Sequence, residues 1–126
     1  IRNIGSKITI VTYGLGVHWA LDLLNEYQKQ EIEIIDLNTL VPWDKELVFS
    51  SIKKTGKVLL LGEDTLFNSY LGEISAIISE EIFEHLDAPI VRVGSLDTPV
   101  PFAKNLEKGF HANYKLKDKL EYLLNY

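Results

Sequence analysis

The sequence contains no cysteine and no methionine among its 126 residues. Without cysteine there can be no disulfide, thiolate metal site or cysteine nucleophile. The missing methionine has a different consequence. A translated chain begins with Met and this one begins at Ile1, so the expectation is a piece of a larger polypeptide. Long apolar runs are also absent, and the densest stretch, Val58–Leu61, is the size of a strand rather than the ~20 residues of a membrane span. Positive charge is scarce. Thirteen Lys and Arg face eighteen Asp and Glu, a formal net charge of −5, which argues against the basic face that nucleic-acid binding needs.

What is present fits one globular domain over residues 1–126, with 46% hydrophobic and 25% charged residues. Charge is unevenly placed. Between Lys57 and Arg92 there is no Lys or Arg, but Glu63, Asp64, Glu73, Glu80, Glu81, Glu84 and Asp87 all fall there. Two readings remain open: a solvated acidic helix face, or a docking surface for a basic partner steered by complementary charge.

Hydrophobic periodicity alternates between strand and helix. Lys7–Tyr13 reads as a strand ending at Gly14, and Val17, Ala20, Leu21, Leu24 and Tyr27 then recur on one helical face. Glu31–Leu37 is a second strand, followed by a loop over Asn38–Trp43. Asp44 reads as the N-cap of a helix that ends near Gly56. Lys57–Leu61 is an apolar third strand and Gly62–Asn68 a loop. Ser69–Glu84 reads as a helix, Pro89–Val93 as a fourth strand and Gly94–Phe102 as an irregular loop. A short helical turn near Ala103–Lys108 and a last helix over about Lys115–Leu124 complete the chain. The pattern predicts an α/β fold of three layers, α/β/α, around a mostly parallel twisted sheet.

Few residues suggest chemistry. Gly14-Leu15-Gly16 follows the first strand and Asp36 closes the second, close to a dinucleotide fingerprint. Trp19 stands where the third glycine belongs, however, which favours a tight turn with a buried Trp19 over a free-standing nucleotide-binding domain. His18, His85 and His111 lie on separate elements without metal-ligand spacing, so no metal site is expected. Glu63-Asp64 lie where α/β ligands collect, but no nucleophile or oxyanion donor accompanies them, so no catalytic residue is assigned. The loop Leu96–Phe102 holds Pro99 and Pro101 and would expose Val100 and Phe102 unless something covers them. It either packs against a neighbour or covers the domain's own core.

A set of ordered motifs goes further: Ile8–Gly14 (ITIVTYG), Val17-His18, Ile34–Leu40 (IIDLNTL), Pro42, Lys53–Gly56 (KKTG), Gly72-Glu73-Ile74, Leu86–Val93 (LDAPIVRV) and Asp97–Ala103 (DTPVPFA). Together they resemble the C-terminal domain of the transketolase-like family, and most of all the β subunit, or β half of a fused chain, of the E1 component of 2-oxoacid dehydrogenase complexes. The equivalent domains of transketolase and deoxyxylulose-phosphate synthase are the alternatives.

The E1 resemblance implies oxidative decarboxylation of pyruvate or a branched-chain 2-oxoacid with thiamine diphosphate and Mg²⁺, and acyl transfer to lipoyl-E2. The cofactor motifs of the family are absent from this sequence, so the cofactor would be bound outside it and the isolated domain would be inactive. The implied role is association with the E1 α subunit or α half and a second E1 β domain, together with docking onto the basic subunit-binding domain of E2. The docking residues map to Asp87 and, where Tyr126 is the terminus, to its carboxylate. Asp97, Pro99, Val100 and Phe102 are the expected subunit-interface residues. A cytoplasmic location fits the cysteine-free composition.

Overall fold

The computed structural model describes residues 1–126. Four strands, β1 (Ile8–Thr12), β2 (Ile32–Asp36), β3 (Val58–Thr65) and β4 (Val91–Ser95), form one sheet in the order β2-β1-β3-β4. Every pairing is parallel. The helices are α1 (Leu15–Leu23), α2 (Lys45–Thr55), α3 (Tyr70–Glu81), α4 (Lys104–Phe110) and α5 (Asn113–Leu124).

The step from β1 to β2 runs one way across the sheet and the later steps run the other way. Right-handed crossovers therefore send α1 to the face opposite α2 and α3. Two separate cores follow. Ala20 and Leu23 of α1, Leu24 just past its end, and Leu116, Leu120 and Leu123 of α5 pack with Ile8, Ile10, Ile32, Ile34, Leu59 and Leu61 on one face. Val48 and Ile52 of α2 and Leu71, Ile74 and Ile78 of α3 pack with Val11, Ile35, Val58 and Leu60 on the other. The three-layer α/β/α expectation holds. Val58–Leu61 reads as a continuous apolar run because it lies mid-sheet with both faces covered.

Several element boundaries differ from the sequence reading: α1 closes at Leu23, short of Tyr27, and β4 runs over Val91–Ser95 rather than Pro89–Val93. β3 continues to Thr65 through what was expected to be loop, because Ser95 pairs with Thr65 while Gly62–Asp64 bulge out between two registers. Ser95 Oγ donates to the Glu63 carbonyl at 2.6 Å and fastens the bulge. A Cβ on Gly94 would lie 2.8 Å from the Asp64 carbonyl oxygen, so glycine permits that close approach. Helix α3 stops at Glu81, where Ile82 leaves helical geometry (φ −138°) and buries its side chain before a 3₁₀ turn at Phe83–His85. Helices α4 and α5 run beyond their expected limits, to Phe110 and back to Asn113, and Phe110 and Ala112 are buried at their junction.

The Asp44 cap and the Gly56 stop on α2 are as expected. Asp44 Oδ1 accepts from Leu47 N–H at 3.0 Å, and Gly56 is left-handed at φ 70°.

Candidate functional site

Parallel strands give the sheet two unlike ends, and the singled-out residues divide between them. At the amino end, the Asp87-Ala88-Pro89 turn leads into β4. Asp87 N–H donates to the Gly56 carbonyl at 2.7 Å, so the C-cap of α2 fixes the turn. Helix α5 ends alongside, held by Lys57 Nζ donating to the Leu123 carbonyl at 2.9 Å. A groove of about 530 Å³ results, lined by Ser75, Ser79, Phe83, Leu86, Asp87 and Tyr126, among others. Asp87 and Tyr126, distant in sequence, share this groove. Asp87 is exposed and has no ion-pair partner in the chain. Tyr126 stacks edge-on against Tyr122 with centroids 5.8 Å apart, and the exposed Phe83 is a third aromatic at the same end.

At the carboxyl end, the loop after β4 presents Pro99, Val100 and Phe102 to solvent, with Phe102 fully exposed. That excludes the reading in which this loop covers its own core. Asp97 behaves differently from its neighbours. Its Oδ1 accepts from Phe67 N–H at 2.6 Å, tying the β4 loop to the β3–α3 loop, so it shapes the surface from within. Phe67 and Leu106 are exposed on the neighbouring segments.

A cleft of about 630 Å³ opens at this end, and Tyr13, Glu63, Asp64, Tyr70, Glu107 and His111 are among its lining residues. The bulge in β3 carries Glu63 and Asp64 to its rim. Burial, then the Asp64 charge and Tyr70, push the Tyr13 phenol above its ordinary pKa. Burial, with Glu73, does the same to Tyr70, whose hydroxyl donates to the Leu40 carbonyl. His111 packs against Trp19 and Phe110, with ring centroids at 6.0 and 5.6 Å. Tyr13, Tyr70, Glu107 and His111 were not anticipated as neighbours. Their shared position past the strands' carboxyl ends was the only sequence signal.

The nucleotide-like turn fares worse. Arg2 Nε and Nη2 donate to Asp36 Oδ2 at 2.9 and 2.6 Å, so that carboxylate is already occupied. Trp19 is half-buried rather than buried, resting against the α1–α5 core. The acidic stretch is partly a solvated face: Glu80 and Glu84 are exposed, and Glu81 pairs with Lys45 across α2 and α3.

The family model for the transketolase C-terminal domain matches residues 1–115. The chain belongs to the transketolase C-terminal domain family. Among its curated relatives, the 2-oxoisovalerate dehydrogenase subunit beta of Bacillus subtilis (strain 168) is 44% identical over 124 residues, covering 96% of this chain and 37% of that protein. The pyruvate dehydrogenase E1 component subunit beta of Rickettsia felis is 42% identical over 106 residues, covering 82% of this chain and 32% of that protein. The chain thus spans about a third of the length of these relatives. A solved split-gene transketolase, an inactive beta4 tetramer, superposes with a TM-score of 0.77 at 24% identity, over 98% of this chain and 40% of that one. That likeness supports the fold. No helix is long and apolar enough to cross a membrane.

Proposed function

We propose that this domain serves the E1 component of a 2-oxoacid dehydrogenase complex, joining E1 subunits through the carboxyl end of its sheet and docking onto the E2 subunit-binding domain through the amino end. The observation that carries this reading is the groove that gathers Asp87 and Tyr126. An exposed, unpaired carboxylate flanked by Phe83 and Tyr126 suits a basic side chain carried on a small apolar partner surface. The relatives supply the context, since both are β subunits of 2-oxoacid dehydrogenases.

At the carboxyl end, the exposed Val100 and Phe102, with Phe67 and Leu106 beside them, form an apolar surface suited to burial against the E1 α subunit or a second β domain. Asp97 and Pro99 hold that loop in shape. The E1 reaction needs thiamine diphosphate with Mg²⁺, and the residues here do not fit that group. The cleft at the carboxyl end carries Glu63, Asp64 and Glu107, which would repel a diphosphate, and no three His, Asp or Glu side chains converge as a metal site. The cofactor is therefore assigned to other parts of the enzyme, and the isolated domain is expected to be inactive. The enzyme is expected to be cytoplasmic.

Isothermal titration of the assembled E1 with the E2 subunit-binding domain tests the docking role. Asp87→Ala is expected to weaken binding by about 1.5–3 kcal/mol, the range for a hydrogen bond to a charged group. Unchanged affinity would remove Asp87 from the interface.

A further inference from the structure

Residues 2–7 form a strap that pairs with the outer edge of β2 at Arg2 and Asn3, crosses the strand at Gly5 and leads into β1. Arg2 N–H donates to the Ile34 carbonyl at 2.8 Å, and Ile34 N–H donates to the Asn3 carbonyl at 2.9 Å, an antiparallel bridge on an edge that would otherwise be unpaired. Ser6 and Lys7 N–H donate to the Gln30 and Glu31 carbonyls at 3.0 and 2.9 Å. The Asn3 side chain donates to the Ile32 and Lys29 carbonyls at 2.5 and 2.7 Å. Gly5 lies so close that a Cβ there would be 2.2 Å from the Ile32 carbonyl carbon, so no other residue fits the crossing.

Beneath that crossing is Glu33, 1% exposed and flanked in β2 by the buried Ile32, Ile34 and Ile35. Its Oε2 accepts from Gly5 N–H at 3.3 Å and from Lys54 Nζ, and its Oε1 accepts from Ser51 Oγ. Ser51 Oγ lies 2.7 Å from Thr9 Oγ1, which lies 2.8 Å from Thr55 Oγ1. One carboxylate therefore joins the strap, β2 and α2, and reaches β1 through Ser51.

We propose that Glu33 is a proton-sensitive latch that locks the strap over the edge of β2. The ionised carboxylate accepts from Gly5, Ser51 and Lys54 together. Once protonated it has lost the charge that holds Lys54, and it carries a proton of its own among groups that are mainly donors. The strap then loses its hold at Gly5 and can lift while the sheet persists. Lys54 on α2 is the one charged group facing Glu33. Thr9 on β1 and Ser51 and Thr55 on α2 are neutral hydroxyls, and the charged residues of the strap pair elsewhere, Arg2 with Asp36 and Lys7 with Glu31. Burial alone would raise the Glu33 pKa, but the hydrogen bonds from Lys54, Ser51 and Gly5 and the Lys54 charge outweigh it and hold the group below the usual carboxylate value. The latch is accordingly closed at neutral pH and opens in acid.

Hydrogen exchange on the full-length protein, resolved by residue and corrected for intrinsic rates, tests this. In Glu33→Gln at neutral pH, the Gly5, Ser6, Lys7 and Ile34 amides should exchange about tenfold faster than in the wild type, through an opening of lower free energy than the one that exposes the Leu59–Leu61 amides of β3, whose protection falls only as far as global stability does. No change at the strap, or strap and β3 amides exchanging through one common opening, would overturn the latch. If Glu33→Gln does not fold, the wild type decides the matter as pH falls from neutral to below about 4. Strap amides must open before those of β3, and coincident opening refutes the proposal.

Discussion

At the amino end of the sheet, polar anchors hold the backbone in place. At the carboxyl end, apolar side chains stand in solvent on loops with fewer such ties. The amino end has the Glu33, Ser51, Thr9 and Thr55 network, the Gly56 carbonyl holding Asp87, and Lys57 holding the end of α5. The carboxyl end depends on Asp97 to Phe67, Ser95 to Glu63, Tyr70 to Leu40 and Arg2 to Asp36, and it exposes Val41, Phe67, Val100, Phe102 and Leu106, where the amino end exposes Ile4 and Phe83 beside Tyr126. A preset groove suits a small partner that must meet one charge in one place. A broad apolar rim suits burial under a large neighbour, where area and complementarity matter more than any single contact. The difference argues for two partners of unlike size, one at each end.

The sharpest way to break this division is to make the rim polar. Val100→Asp with Phe102→Ser should weaken E1 assembly in sedimentation experiments by about 2–4 kcal/mol, the range for central interface residues. Both side chains lie outside the core, so the melting temperature of the chain itself should not move. Intact assembly would leave the apolar rim without a role.

How much of this was visible in the sequence differs between the two ends. Strand and helix order followed from periodicity, because each face of the sheet is buried under one pair of helices and the apolar spacing records that. The rim was legible too, since paired prolines fix a loop and leave Val100 and Phe102 without a place in either core. The extension of β3 was hidden because it depends on Gly94 and Ser95, which reach the bulge only after folding. Glu33 was hidden for a different reason. In the run Ile32–Asp36 it reads as the solvent side of an alternating strand, and nothing local shows that α2 will cover it with Ser51 and Lys54. The meeting of Asp87 and Tyr126 came from family resemblance, because neither spacing nor composition brings the end of α5 to the start of β4. The Tyr13 and Tyr70 cleft required the tertiary structure.

The polar anchoring of the amino end can be tested through pH. Glu33 is held below its ordinary pKa, so its contribution to stability is complete above the unfolded-state value and is lost as pH falls through the folded-state value. Urea denaturation at neutral pH should show Glu33→Gln less stable by about 1–3 kcal/mol, because Lys54 and Ser51 lose a charged acceptor. The gap to the wild type should narrow in acid as the native carboxylate is protonated. A gap that does not change with pH would mean that packing, not charge, is the contribution of Glu33.

The smallest effects come from a matched pair of glycines, one at each end. Gly56 (φ 70°, ψ −11°) is left-handed, where alanine is strained by roughly 1–2 kcal/mol, and Gly14 (φ 56°, ψ −131°) has a backbone that favours glycine still more strongly, at roughly 1–3 kcal/mol. Their surroundings differ. A Cβ on Gly14 meets nothing within 4 Å, whereas one on Gly56 would lie 2.0 Å from Asp87 Oδ2. The Asp87 carboxylate is exposed and can swing aside, so Gly56→Ala should lose no more stability than Gly14→Ala in thermal melts. Only Gly56→Ala, however, moves the charge that the groove offers to a basic partner. Titration with the E2 subunit-binding domain should therefore show weakened binding for Gly56→Ala and wild-type binding for Gly14→Ala. Equal affinities would mean that the position of Asp87, fixed by the cap of α2, does not matter to docking, and the contrast between a preset amino end and an adaptable carboxyl end would fail at its most specific point.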